Sequence, residues 1–126
     1  MSKSPITCHV LDSSTGKPAE GVEVSLQGCY SVENSVDMFQ PMAKGVTNSD
    51  GRCTDLLPPR GASDAIELQK GGTYKVIFKT KDYFAKTDRK CFYPWVEIIF
   101  ELENPEDHYH IPLLISPYSF TTYRGS

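Results

Sequence analysis

The chain is predicted to be all-β, a sandwich or a barrel, on three observations. Short β-prone runs recur along it, clusters of turn-forming residues punctuate them, and no helix-length pattern of apolar positions separates them. Ile6 to Leu11 reads as the first strand. Val22 to Leu26 reads as the second, because Val22, Val24 and Leu26 alternate with Glu23 and Ser25 as a half-buried strand requires. Ser13 to Pro18 between them is turn chemistry. Gly28 to Gln40 is polar and aperiodic, and is expected to be a long connection with some strand content at its far end.

Asn48-Ser49-Asp50-Gly51 marks a tight turn, since Asp-Gly readily supplies positive φ, and a strand is expected from Arg52 to Leu57. Pro58-Pro59-Arg60-Gly61 stops it. Gly71-Gly72 introduces the next, Thr73 to Lys79, in which Tyr74, Val76 and Phe78 alternate with charged or smaller residues. Asp82 to Lys86 joins a possible N-cap to good helix formers and predicts a single short helix. Val96 to Leu102 is β-rich and closed by Asn104-Pro105-Glu106-Asp107, after which His108 to Ser116 and Ser119 to Tyr123 read as the last two strands.

With 126 residues there is enough chain for one domain with a core and too little for two, so residues 1–126 are expected to fold together. The formal charge of −3, with Lys70, Lys75, Lys79, Lys81, Lys86, Arg89 and Lys90 interrupted by acids and apolar positions, predicts no nucleic-acid partner. No apolar run is long enough to span a bilayer, and no membrane partner is expected. The opening Met1-Ser2-Lys3-Ser4-Pro5 lacks the apolar core of a secretory signal. A cytoplasmic location is the expectation, with peroxisomal import by some other signal left open. Cys8, Cys29, Cys53 and Cys91 are scattered without a Cys-x-x-Cys pair and read as reduced thiols, small core residues for the most part; a reactive thiol at Cys8 or Cys53 is the alternative.

Strand alternation sorts His108 to Ser116 into two faces. Tyr109, Ile111, Leu113 and Ile115 form one apolar face that wants the core, so His108 and His110 project from the other side with Pro112, Leu114 and Ser116. The first strand supplies the third imidazole, His9. Each has an ordinary structural reading: a hydrogen-bonded histidine in a strand for His9, solvated residues at a strand start for the other two. A His-x-His pair plus a third histidine is also how a three-histidine zinc site is built, although no carboxylate or carbonyl behind each ligand is visible. Arg52 is by default an exposed cation at the foot of a hairpin. The chain ends after β-prone residues without a charged tail, which suits a docked terminus.

The residues also match a known pattern over nearly the whole chain. Thr7-Cys8-His9-Val10-Leu11-Asp12 is followed by Gly16-Lys17-Pro18-Ala19-Glu20-Gly21-Val22, then Thr47-Asn48-Ser49-Asp50-Gly51-Arg52, then Cys91-Phe92-Tyr93-Pro94, and last the segment His108 to Ser126 ending Tyr123-Arg124-Gly125-Ser126. This ordered set resembles the 5-hydroxyisourate hydrolases of the transthyretin-like family. The resemblance implies a two-sheet β-sandwich with one short helix, assembled as a homotetramer (a dimer of dimers) with active sites in clefts where dimers meet. It implies hydrolytic ring opening of 5-hydroxyisourate to 2-oxo-4-hydroxy-4-carboxy-5-ureidoimidazoline in uric acid degradation, with no cofactor and no metal.

The same resemblance implies His9, Arg52 and His110 as catalytic residues and His9, Arg52, Tyr123 and Ser126 as substrate-binding ones, and it leaves His108 out. A neutral histidine would activate water, and Arg52 would hold the polar edge of the substrate and stabilise the oxyanion. Which of His9 and His110 is the base stays open. The segments Cys29 to Ala43 and Pro58 to Gln69 match no pattern. The rival reading is a transthyretin-like carrier of small ligands, because fold does not dictate function.

Overall fold

Alternating apolar positions demand two sheets packed face to face, and a computed structural model, which describes residues 4–32 and 36–125, has that arrangement. The elements in chain order are β1 (Ile6–Asp12), β2 (Lys17–Pro18), β3 (Glu23–Val32), β4 (Val36–Val46), β5 (Arg52–Cys53), β6 (Gly72–Phe78), α1 (Thr80–Lys86), β7 (Val96–Leu102), β8 (Tyr109–Ser116) and β9 (Ser119–Thr122). One sheet runs β2-β1-β8-β9, with β5 also paired to β1; the other runs β4-β3-β6-β7. Ile6, Cys8, Val10, Leu113 and Ile115 from the first sheet meet Val24, Leu26, Val76, Phe78 and Leu102 from the second, and Phe84 of α1 joins them. Full burial of an aliphatic or aromatic side chain of this kind contributes about 1.5–3 kcal/mol.

The expected strands at the two ends of the chain are present and become neighbours: β1 and β8 pair in parallel, with Thr7 opposite His110 and His9 opposite Pro112. The short helix starts at Thr80, slightly ahead of Asp82. Among the described residues no helix is long and apolar enough to cross a membrane.

Two expectations need correction. Gly28 to Gln40 is not a loose connection. It belongs to a long hairpin in which β3 and β4 pair from Glu23–Val46 to Val32–Val36, with one irregularity between Leu26 and Gln27. Its polar, aperiodic composition has a physical cause: beyond Gly28, β3 no longer has β6 beside it, so the sheet there has no core to demand alternation. Second, the strand expected from Arg52 to Leu57 is only Arg52–Cys53. β2 occupies Leu11 and Asp12 on the same edge of β1 where β5 takes Cys8 and His9, so little edge is available; Leu56 and Leu57 are buried without strand pairing.

Candidate functional site

The outer face of the first sheet carries the polar side chains that chemistry could use. Inward-pointing Cys8 and Val10 leave Thr7, His9 and Leu11 on the opposite face of β1, and inward Tyr109, Ile111 and Leu113 leave His110, Pro112 and Leu114 on that same face of β8. The predicted sorting of the His108 to Ser116 segment therefore holds. His9 and His110 are half-buried, with ring centroids 6.4 Å apart, and His108 stacks beside His110 at 6.5 Å.

A tight turn brings Arg52 to this face. Asn48 Oδ1 accepts the backbone N–H groups of Asp50 and Arg52 at 2.9 and 3.0 Å, closing the turn. Gly51 has φ +75°, and a Cβ there would lie 2.3 Å from the Val10 carbonyl oxygen, so only glycine lets the turn approach β1 this closely. Val10 N–H donates to Gly51 O at 2.7 Å, which makes the adjacent antiparallel pair, His9 with Arg52, a non-hydrogen-bonded one in which side chains lie closest. The same turn orients His9: its Nε2–H donates to the Asp50 carbonyl at 3.0 Å, leaving Nδ1 as the unprotonated nitrogen of the neutral ring. Arg52 is exposed, and among the described residues its guanidinium makes no ion pair or hydrogen bond.

The C-terminal segment closes the other side of His110. Thr122 Oγ1–H donates to the Pro112 carbonyl at 2.7 Å, and Gly125 N–H donates to the His110 carbonyl at 3.0 Å in an isolated bridge. A Cβ at Gly125 would sit 2.7 Å from His110 Cδ2, so the tail's backbone lies directly against the imidazole. Arg124 anchors the segment, its guanidinium 4.7 Å from the Tyr109 ring centroid and 3.8 Å from the Asp107 carboxylate. The terminus is thus docked through Gly125. Tyr123 is 59 % exposed between these anchor points, and Ser126 lies outside the described residues.

Thr7 escaped sequence reasoning. Its hydroxyl is 2.8 Å from His110 Nδ1 and 3.0 Å from His108 Nε2, in a residue 7 % exposed. The available signal was its position two residues before His9, hence on the same strand face. No local pattern announces the β1–β8 register that sets it opposite His110.

Cys8 and Cys53 offer no competing thiolate chemistry. Burial, then the neighbouring Cys53, pushes the Cys8 thiol far up, and burial with Asp55 beside it pushes Cys53 up to about 11. Both therefore stay protonated and poorly nucleophilic near neutrality. Among the described residues no three His, Cys, Asp or Glu side chains gather into a group that could hold a metal ion.

The sequence pattern of the HIUase/Transthyretin family matches residues 6–125. The chain belongs to that family. Mouse 5-hydroxyisourate hydrolase is 40 % identical over 123 residues, covering 98 % of this chain and 96 % of that protein. Among solved structures, Klebsiella pneumoniae 5-hydroxyisourate hydrolase is 36 % identical with a TM-score of 0.70, covering 98 % of this chain and 94 % of its own. Sea bream transthyretin, solved in complex with thyroxine, is 28 % identical with a TM-score of 0.77, covering 96 % and 94 %. Backbone likeness thus runs to both branches of the HIUase/Transthyretin family, and the two-sheet sandwich expected from the resemblance is the family's fold.

Proposed function

We propose that this protein is a 5-hydroxyisourate hydrolase of uric acid degradation. The observation that carries the reading is the convergence of His9, Arg52 and His110 on one sheet face beside the docked C-terminal segment. A carrier of apolar ligands gains nothing from two imidazoles and a guanidinium that lacks an ion pair among the described residues, whereas hydrolysis of a cyclic amide needs a base and an oxyanion partner. Identity to the mouse and Klebsiella hydrolases over almost the full chain supports the same choice.

In this mechanism water adds to a ring carbonyl of 5-hydroxyisourate while a neutral imidazole takes its proton. His9 has its lone pair at Nδ1 for this, because Asp50 O holds the proton on Nε2; His110 is the other candidate. The oxyanion forms beside Arg52, whose fixed charge stabilises it, and its planar fork also binds the polar edge of the heterocycle. Collapse breaks the amide-type C–N bond, and the imidazolium returns the proton to the leaving ring nitrogen. The product is 2-oxo-4-hydroxy-4-carboxy-5-ureidoimidazoline. Tyr123 and Ser126 complete substrate binding, and no cofactor or metal takes part.

The working form we propose is a homotetramer. β7 and β9 are the open edges of the two sheets on one side of the sandwich, and Ile99 and Phe120 on them, with Phe92 and Tyr118 nearby, are exposed. Unpaired edges bearing apolar side chains favour self-association. The proposed location is the cytoplasm.

The test generates 5-hydroxyisourate in situ with urate oxidase and follows its absorbance with and without the protein, and with and without a chelator. Accelerated decay that survives chelation is expected, with elemental analysis finding no stoichiometric metal; decay at the uncatalysed rate would reject the hydrolase. Light scattering should return four times the chain mass, and fractionation of the source cells should place the protein in the soluble cytoplasmic pool.

A further inference from the structure

We infer that Thr7 is a positioning residue that makes His110 the general base and connects it to His108 as a proton store; the catalytic part of this inference rests on the hydrolase reading above. Thr7 Oγ1 lies within hydrogen-bond distance of two ring nitrogens at once, His110 Nδ1 at 2.8 Å and His108 Nε2 at 3.0 Å. A hydroxyl carries one proton. It serves both rings fully only as a link in a chain, accepting from one and donating to the other. The arrangement in which His110 Nδ1–H donates to Thr7, and Thr7 donates to His108 Nε2, leaves the lone pair of His110 at Nε2, on the side of the ring away from Thr7.

Three features suit the hydroxyl to this work. The parallel register sets Thr7 directly opposite His110, and His108, just ahead of β8, stacks beside His110 at 6.5 Å within reach of the same hydroxyl. Thr7 is 7 % exposed, which limits competition from water for its hydroxyl. Threonine is β-branched, so its χ1 is stiff and the oxygen keeps its aim.

The proton accounting closes. As water adds to the substrate carbonyl, His110 Nε2 takes a proton. His110 Nδ1–H passes its proton to Thr7 Oγ1, and the Thr7 hydroxyl proton passes to His108 Nε2. His110 is then neutral again and His108 holds the positive charge. When the C–N bond breaks, the chain runs backwards and His110 Nε2–H protonates the leaving ring nitrogen. No proton is gained or lost by the protein over the cycle.

Thr7→Val keeps shape and removes the hydroxyl. Its kcat should fall roughly tenfold to a hundredfold, the scale of losing properly directed proton transfer, with KM within about twofold of the parent. Thr7→Ser should recover most of the loss. His108→Phe should lower kcat similarly, and the Thr7→Val, His108→Phe double variant should fall no further, as expected of residues acting in one chain. Nitrogen-15 NMR of the imidazoles should find the His110 proton on Nδ1 in the parent and lose that preference in Thr7→Val. An unchanged kcat in Thr7→Val, additive losses in the double variant, or an unaltered His110 tautomer would each overturn the assignment. If Thr7→Val fails to fold, His108→Phe and Thr7→Ser carry the same comparison. A parent protein that does not accelerate 5-hydroxyisourate decay would defeat the hydrolase reading and the catalytic part of this one, while the NMR still decides whether Thr7 sets the tautomer.

Discussion

Two polar clusters grow from β1, and they behave in opposite ways. At the strand's C-terminal end, Asp12 is fully buried and its carboxylate is consumed by partners: Arg89 at 2.6 Å, the Tyr83 hydroxyl at 2.9 Å, and both the backbone N–H and the hydroxyl of Ser14. At the other end, Thr7, His9, Arg52, His108 and His110 present imidazoles and a guanidinium along one face, and Arg52 finds no side-chain partner among the described residues. The first cluster neutralises itself and fastens α1, with the loop behind it, to the first sheet. The second holds the Arg52 guanidinium without an ion pair among the described residues, beside three imidazoles that backbone, turn and Thr7 orient. Polar groups that neutralise one another hold a fold together, whereas imidazoles and a guanidinium oriented on one face without a countercharge suit work on a substrate.

Substitution should separate the two. The largest effect is expected at the open cluster: His110→Ala, His9→Ala and Arg52→Glu should each reduce kcat/KM by about 10²–10⁴-fold while leaving the melting temperature within a few degrees of the parent. Full activity in any one of them removes that residue from the mechanism. Arg89→Met is the converse. It strands a buried carboxylate and should cost about 3 kcal/mol in a urea melt, with kcat/KM retained below the transition. A variant as stable as the parent would show that Arg89 is dispensable to the closed cluster.

A smaller effect is expected where the C-terminal segment meets the open cluster. Gly125→Ala puts a methyl group where only 2.7 Å separates it from His110 Cδ2, and should lower kcat/KM roughly tenfold by displacing the tail or the ring. Unchanged turnover there, or after deletion of residues 123–126, would detach the terminus from function. The smallest effect is in pH. Burial alone would raise the Asp12 pKa, but the bonds from Arg89, Ser14 and Tyr83 outweigh it and hold the carboxyl below its ordinary value. A depressed folded-state pKa contributes stability that is complete above the unfolded-state value and lost as pH falls through the folded one. The stability gap between parent and Arg89→Met should therefore narrow on acidification, and a gap constant across urea melts at descending pH would contradict that account.

How legible these regions were follows from what marks them locally. The core-facing alternation of β6, β8 and β1 is written in adjacent residues, so those strands and the outward placement of His110 could be read directly. The β3–β4 arm was not, because beyond Gly28 it lies past the edge of β6 and no buried face imposes a pattern. Nor was the shortness of β5, which reflects competition with β2 for one edge of β1. At the site, His9, Arg52 and His110 stood out by residue type and by resemblance to a family. Thr7 carried no such mark, and neither did the bond that sets the His9 tautomer.

By itself, then, the sequence determined the all-β class, the family, and which imidazoles face away from the core, since each depends on side-chain chemistry and spacing within a single strand. Only the tertiary structure decided what those imidazoles touch. The pairing of β1 with β8, separated by most of the chain, set Thr7 against His110 and His108. The approach of Gly51 to β1 brought Asp50 O to His9 and Arg52 to its side, and the return of the C-terminal segment laid Gly125 on His110. Those contacts join residues distant in sequence, and their register is set by the packing of the whole sandwich rather than by any local propensity.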